Sequence, residues 1–309
     1  MDSKIKIIFV GIPDMAMVCL QELLEKKFNI VGVIPPKKTH ETYSYFKSYV
    51  LEKGLNLIDF DNSPNEKECI EKIKKLDADI GVVCSYNSKL SSDFLATTKL
   101  GYINCHPSKL PEYRGGMPYF HIIKNNEKKS AITLHFMDEN FDTGNIILQK
   151  DFNLTPYETM GSLFNRTTFM ISEALVEVLD KLQKEKRLES FAQDKTHSFK
   201  TAPKTNGYFK INWSKDIYEL DALIRACNPF YCAYCYFRGV NFKIIKAEPI
   251  EKKHNFNFGQ IVKSSKDELL IAAKNGLLSL KVVQIGTWGI FCPDDFYLTF
   301  KPTETEILN

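Results

Sequence analysis

Asn104 and His106 stand two residues apart at the end of an apolar run, in "INCHPSKLPEYRGG". Side chains of an extended segment alternate between faces, so the amide and the imidazole share one face while Cys105 takes the other. Pro107 disfavours helical backbone at His106 and keeps the pair extended. A third polar centre, "MDENFDTGN", carries Asp142, with Gly144 permitting close backbone approach. If the strands flanking Asp142 bring it to the same sheet end, an amide, an imidazole and a carboxylate converge. That set suits acyl transfer to an amine. Asn104 donates a hydrogen bond to the developing oxyanion, His106 takes the amine proton or helps hold the oxyanion, and Asp142 orients the imidazole. Taken alone, the pair is equally a polar strand end with a hydrogen-bonded histidine. No covalent nucleophile is required, and Cys105 faces away. A metal is not expected, because no H-x-x-x-H or paired cysteines surround His106. His40, His121, His135, His197 and His254 are scattered; His135, on an alternating strand near Asp142, is the one whose placement matters.

The elements that must hold these groups follow from the hydrophobic pattern. Up to about residue 108, "KIKIIFVGI", "FNIVGVI", "LNLIDF", "DIGVVCSY" and "GYINCHPS" read as strands. Helical stretches near 14–26, 41–53 and 65–76 alternate with them, the signature of an α/β parallel sheet. Such sheets bind ligands at the carboxyl ends of their strands, where Asn104 and His106 fall. "GIPDMA" lacks the later glycines of the dinucleotide fingerprint, so no case for NAD arises. Pro118 suits the first turn of a helix over 117–126, "SAITLHFMDE" and "GNIILQKDFNL" read as strands, and 158–186 as a helix with one apolar seam. The polar stretch 187–210 reads as a linker. A short helix over 216–227 and five strand-like runs follow, with turns at Arg238-Gly239 and Asn275-Gly276, which predicts a small antiparallel barrel. The division is therefore residues 1–200 and residues 201–309.

Composition bounds the class. The 309 residues exceed a usual single core, and with 44% hydrophobic and 26% charged residues the chain is an ordinary globular protein. The net charge of +3 selects no partner, although the basic excess lies after residue 200. The N-terminal run reads as a strand and not a signal peptide, and no membrane span is expected, which points to the cytoplasm and to reduced thiols. Cys227, Cys232 and Cys235 show an iron–sulfur-type spacing with Cys292 as a fourth candidate, yet "YCAYCYFRG" is aromatic and strand-like, so no cluster is expected.

At "NCHPSKLPEYRGG" and "DENFDTG" the sequence resembles the formyltransferase family that uses N10-formyltetrahydrofolate, with Asn-x-His, Ser-x-Leu-Pro-x-Tyr-Arg-Gly and Asp-x-Gly-Leu-Asp-Thr-Gly motifs in order. "INWSKDIYELDALIRACNPF" is similar to the start of that family's C-terminal domain. The resemblance implies a Rossmann-like formyltransferase domain followed by an OB-like open barrel. It also implies N10-formyltetrahydrofolate as co-substrate and catalytic Asn104, His106 and Asp142. The family's pterin-binding segments correspond to Ser85, Tyr86, Asn87 and Leu90, and to Asp138 and Asn140. The loop after the second strand, "IPPKKTHETYSYF", has two lysines and no glycine, poor equipment for gripping RNA phosphates. His106-Pro107-Ser108 is closer to relatives acting on small substrates. A nucleotide-linked amino sugar is therefore the expected acceptor, in surface glycan synthesis. Ser108, Tyr113, Arg114, Gly115, Gly116 and Tyr119 would contact it, Arg114 meeting the diphosphate. Methionyl-tRNA is the alternative acceptor, suggested by the basic C-terminal part. A catalytically silent nucleotide- or nucleic-acid-binding protein is the third reading, and the pattern leaves room for a homodimer.

Overall fold

The computed structural model describes residues 4–194, 200–201 and 207–309. His197 lies outside them. In chain order the first elements are β1 (Lys6–Gly11), α1 (Met15–Glu25), β2 (Asn29–Ile34), α2 (Tyr43–Glu52), α3 (Lys67–Lys74), β3 (Ile80–Cys84), α4 (Ser92–Leu95) and β4 (Tyr102–His106). There follow β5 (Arg114–Gly115), α5 (Pro118–Lys124), β6 (Lys129–Phe136), β7 (Ile146–Asn153), α6 (Met160–Glu185) and β8 (Lys200–Thr201). The last are α7 (Ile217–Cys227), β9 (Ala233–Phe237), β10 (Val240–Glu251), β11 (Ile261–Ser264), β12 (Leu269–Ala273), β13 (Gly276–Ile285), β14 (Gly289–Phe291) and α8 (Pro293–Phe300). They form two compact units. The first takes in Met1–Pro118, Lys129–Asn153 and Phe164–Ala202, the second Tyr119–Lys128, Leu154–Leu163 and Pro203–Asn309.

The first unit is an α/β, Rossmann-like domain around a sheet of order β2-β1-β3-β4-β6-β7. β1 to β4 run parallel, and β6 and β7 antiparallel. β1 and β3 are continuous apolar runs because both faces are covered. α1 buries Met15, Ala16, Cys19, Leu20 and Leu23, and α3 buries Cys69, Ile70 and Ile73, each on one face. The chain reverses its direction of advance between β1 and β3, so the carboxyl ends of β1, β3 and β4 flank a switch-point crevice. One expected strand is corrected. "LNLIDF" makes a single bridge, Leu57 to Val33, and then turns Ile58 and Phe60 into the core. The Asp59 carboxylate accepts from the Phe60 N–H at 3.1 Å, a local bond that competes with a ladder.

The second unit holds an all-β sheet of order β11-β12-β13-β10-β9, with β14 beside β13. The β9–β10 turn falls at Arg238-Gly239, both with positive φ (49° and 80°). Leu308 N donates to Gly259 O at 2.9 Å, and Asn309 N to Tyr236 O at 3.0 Å, so the last residues cover both edges of the sheet. α8 was not expected, although Pro293 at its start with Asp294 and Asp295 in its first turn is a helix-opening signal. The eight cysteines are free thiols, Cys227 and Cys235 being buried within α7 and β9. Among the described residues no helix is long and apolar enough to cross a membrane.

Candidate active site

Asn104 and His106 close β4 on one face, and the register sets Asn104 opposite His135 of β6. The β6–β7 loop then folds back over its own strand. A Cβ on Gly144 would lie 1.8 Å from the Phe136 carbonyl oxygen, so only glycine allows this approach. The fold-back, not a strand end, delivers Asp142, whose φ of 56° is the left-handed conformation that Asp adopts more readily than most residues.

Four side chains meet there. The Asn104 Nδ2 donates to Asp142 Oδ1 at 3.0 Å and to His135 Nε2 at 3.2 Å. His135 Nδ1 lies 2.8 Å from the Phe136 carbonyl, which can only accept, so Nδ1 carries the proton and Nε2 accepts. The same logic orients Asn104, since a carboxylate oxygen must face its N–H. His106 Nε2 donates to the Tyr113 carbonyl at 3.0 Å, leaving Nδ1 toward Asp142 Oδ2 at 3.6 Å. Gly115 N donates to Asp142 Oδ2 at 2.8 Å.

Burial is the largest influence on His106 and pushes its imidazole below 6.5, outweighing the adjacent Asp142 carboxylate. Burial works against charge on Asp142 as well, yet His106, His135 and the Gly115 N–H overcome it and hold the carboxyl well below the usual range. The resting pair is thus a neutral imidazole beside a carboxylate. On the opposite face, Cys84 lies beside Cys105 in register. Hydrogen bonding with Cys105 and Cys19, reinforced by burial, keeps the Cys84 thiol protonated.

An open cleft lies beside the cluster, lined by Val83, Tyr86, Leu90, Met137 and Phe141 and by Asn104, His135, Asp138, Asn140 and Asp142. Of the expected pterin contacts, Tyr86, Leu90, Asp138 and Asn140 reach it. Ser85 and Asn87 are exposed and do not line it. Asp138 Oδ1 accepts from Asn140 N at 2.9 Å and Thr143 Oγ1 at 2.6 Å, which shapes the wall.

The expected acceptor contacts behave differently. Ser108 is fully buried, donating to Glu112 O at 2.8 Å while its carbonyl accepts from Thr133 Oγ1 at 2.6 Å. Arg114 is 5% exposed and gives Nε and Nη2 to Gln193 Oε1 at 3.0 and 2.6 Å. A buried guanidinium so engaged is not presented to a diphosphate, which corrects that expectation. Tyr113 is buried and acts through its carbonyl, Gly115 through its N–H, Gly116 is exposed, and Tyr119 lies half-buried in α5 of the second unit. Two residues join the set. His135 was signalled by its alternation; Gln193, inside the stretch read as a linker, carried no signal. No cluster of three His, Cys, Asp or Glu able to hold a metal occurs among the described residues.

The Formyl transferase family pattern matches residues 4–179, and that of the Formyl transferase C-terminal domain residues 205–297. The chain belongs to the formyl transferase family. It is an N-formyltransferase, which removes the reading as a silent binding protein. The methionyl-tRNA formyltransferase of Clostridium tetani is 34% identical over 285 residues, 90% of this chain and 91% of that protein. That of Clostridioides difficile is 33% identical over 290 residues, 91% of this chain and 92% of that protein. An N-formyltransferase of Helicobacter canadensis, solved with folinic acid and dTDP-3-aminofucose, shares the fold at a TM-score of 0.71 with 23% identity, covering 89% of this chain and 98% of that one. The nucleotide-sugar acceptor expected from the sequence is overturned by the first two relatives, whose likeness runs through both domains. The likeness to the sugar enzyme reaches the fold alone. Counting lysines in one exposed loop misjudged the acceptor, because phosphate contacts can come from any part of a surface.

Proposed function

We propose that this enzyme transfers the formyl group of N10-formyltetrahydrofolate to the α-amino group of methionyl-tRNA in the cytoplasm. The observation that carries this reading is the identity of about one residue in three with methionyl-tRNA formyltransferases across nine-tenths of the chain. The same reading takes residues 1–200 as the catalytic domain and 201–309 as an OB-like open barrel.

The cleft fits a flat, polar-edged heterocycle. Tyr86, Leu90 and Met137 offer apolar walls, and Asp138 and Asn140 offer hydrogen-bonding edges. Bound N10-formyltetrahydrofolate supplies the formyl group. His106 serves as the base, with Nε2–H committed to the Tyr113 carbonyl and the Nδ1 lone pair available at neutral pH. Asp142 stabilises the imidazolium that forms without itself being protonated, and the imidazolium then gives that proton to N10 as the bond from the formyl carbon to N10 breaks and tetrahydrofolate leaves. Asn104 is the oxyanion donor, and it must first exchange one of its two existing bonds, the longer one to His135 being the natural choice.

Release of tetrahydrofolate from N10-formyltetrahydrofolate, measured with and without aminoacylated initiator tRNA, tests the reading. Methionyl-tRNA-dependent turnover is expected; its absence, with folded protein and intact donor, rejects methionyl-tRNA as the acceptor.

A further inference from the structure

Gln193 spends its whole hydrogen-bonding capacity on the loops around Asp142. Its Nε2 donates to the Asp142 carbonyl at 3.0 Å and to the Gly144 carbonyl at 2.7 Å. Its Oε1 accepts both bonds from Arg114. Two donated and two accepted bonds complete a side-chain amide, and the residue is only 7% exposed. The backbone that carries it is fixed in turn: Phe191 and Ile146 exchange N–H to carbonyl bonds of 2.8 and 3.0 Å.

The arrangement has a specific geometry. The bond from Gly115 N to the Asp142 carboxylate joins two loops, and Gln193 grips both sides of it. On the donor side it holds Arg114, the residue before Gly115. On the acceptor side it holds the backbone of Asp142 itself, a residue with positive φ. We propose that Gln193 is a positioning residue for formyl transfer, locking the Asp142 loop to the Arg114 loop so that the carboxylate stays beside His106. This rests on the role given above to Asp142.

Gln193→Ala removes all four bonds. Gln193→Glu keeps an acceptor for Arg114 but loses both donated bonds, placing a carboxylate against two carbonyl oxygens. Gln193→Met keeps the volume and serves if the other variants fail to fold. Each variant is measured for kcat, KM for methionyl-tRNA and melting temperature, alone and with Asp142→Asn. A misplaced group typically costs about 10²-fold, so kcat should fall by that order with KM within about threefold. On the Asp142→Asn background the further loss should be under about threefold, because residues acting as one unit are not additive. A variant with wild-type kcat overturns the proposal, as does an equal loss on both backgrounds.

If wild-type protein does not formylate methionyl-tRNA, the acceptor reading fails and the positioning role is still measurable. The groups facing His106 are the Asp142 carboxylate, His135 and the Tyr113 carbonyl. Followed by NMR, the His106 titration should move to lower pH in Gln193→Met as the carboxylate withdraws. An unchanged titration overturns the proposal.

Discussion

Two loops of the first unit follow parallel strands and differ in almost every physical respect. The one after β4, residues 107–117, is buried at Ser108, Leu110, Tyr113 and Arg114. Besides the bonds already described, Gln149 Nε2 donates to Leu110 O at 3.0 Å. The one after β2, residues 35–42, is exposed over Lys37–Thr39. Past the buried Pro35 and Pro36, where the Pro35 carbonyl accepts from Tyr86 Oη at 3.4 Å, its polar contacts are local or solvent-facing: Lys38 pairs with Asp61 at 2.6 Å, and His40 Nδ1 meets Thr42 Oγ1 at 2.9 Å. Burial decides what each loop can do. Buried polar groups are costly unless every partner is in place, so the first loop has one geometry and can set a reacting group. Exposed charges are screened and rearrange, so the second loop specifies little on its own.

The largest effects are expected from the buried loops. Asp142→Asn and His106→Ala should each lower kcat by about 10²–10³-fold, the cost of losing a key transition-state group. Wild-type turnover in either variant, followed as tetrahydrofolate release, would remove the catalytic cluster from the reaction. Next in size is Gly144→Ala. Its methyl group would collide with backbone and not with a movable side chain, so a loss of about 3 kcal/mol or more is expected, read as a lowered denaturation midpoint.

His106 has a folded-state pKa below 6.5, so the unfolded chain takes up the proton first and this contribution to stability fades as pH falls below 6.5. Asp142 also has a depressed pKa. Its contribution is complete above the unfolded value of about 4 and is lost as pH drops below it toward the folded pKa. Stability should therefore decline in two acid stages, with Asp142→Asn reducing the lower one, to which other depressed carboxylates such as Asp79 and Glu306 also contribute. Turnover should rise to a plateau by about pH 7, since the base is then neutral. The smallest effect is expected from the exposed loop. Lys37→Ala with Lys38→Ala should change KM for methionyl-tRNA by less than about threefold, the yield of one or two screened phosphate contacts. A tenfold rise would make that loop the RNA grip and reverse the lesson drawn from it.

Much of the catalytic unit was legible because its signals are geometric. The buried strands β1 and β3 are continuous apolar runs, and in β4 period-two alternation placed Asn104 and His106 on one face and Cys105 on the other. His135 was visible for the same reason, as an alternating residue near Asp142. "LNLIDF" misled because its alternation is genuine, while its aspartate bonds its own neighbouring N–H and so departs from the sheet edge. Arg114 misled through its chemistry: an arginine beside two glycines suggests an anion site, and only the fold shows Gln193 already occupying it. Gln193 was unreadable since nothing in "SFAQDK" reveals that its amide meets loops distant in sequence. The acceptor was misread from charge on an exposed loop, the kind of surface whose partners sequence constrains least.

Asn104 gives the resting enzyme one further property. Both of its amide protons are already held, by Asp142 and by His135. A water molecule entering the cleft by chance meets no idle donor on that side chain ready to favour its attack on the formyl group. An acceptor that contributes binding energy of its own can displace one of those bonds. If Asn104 is the oxyanion donor proposed above, this closed hydrogen-bond circuit would act as a safeguard against waste, leaving the activated one-carbon unit unspent until an acceptor binds.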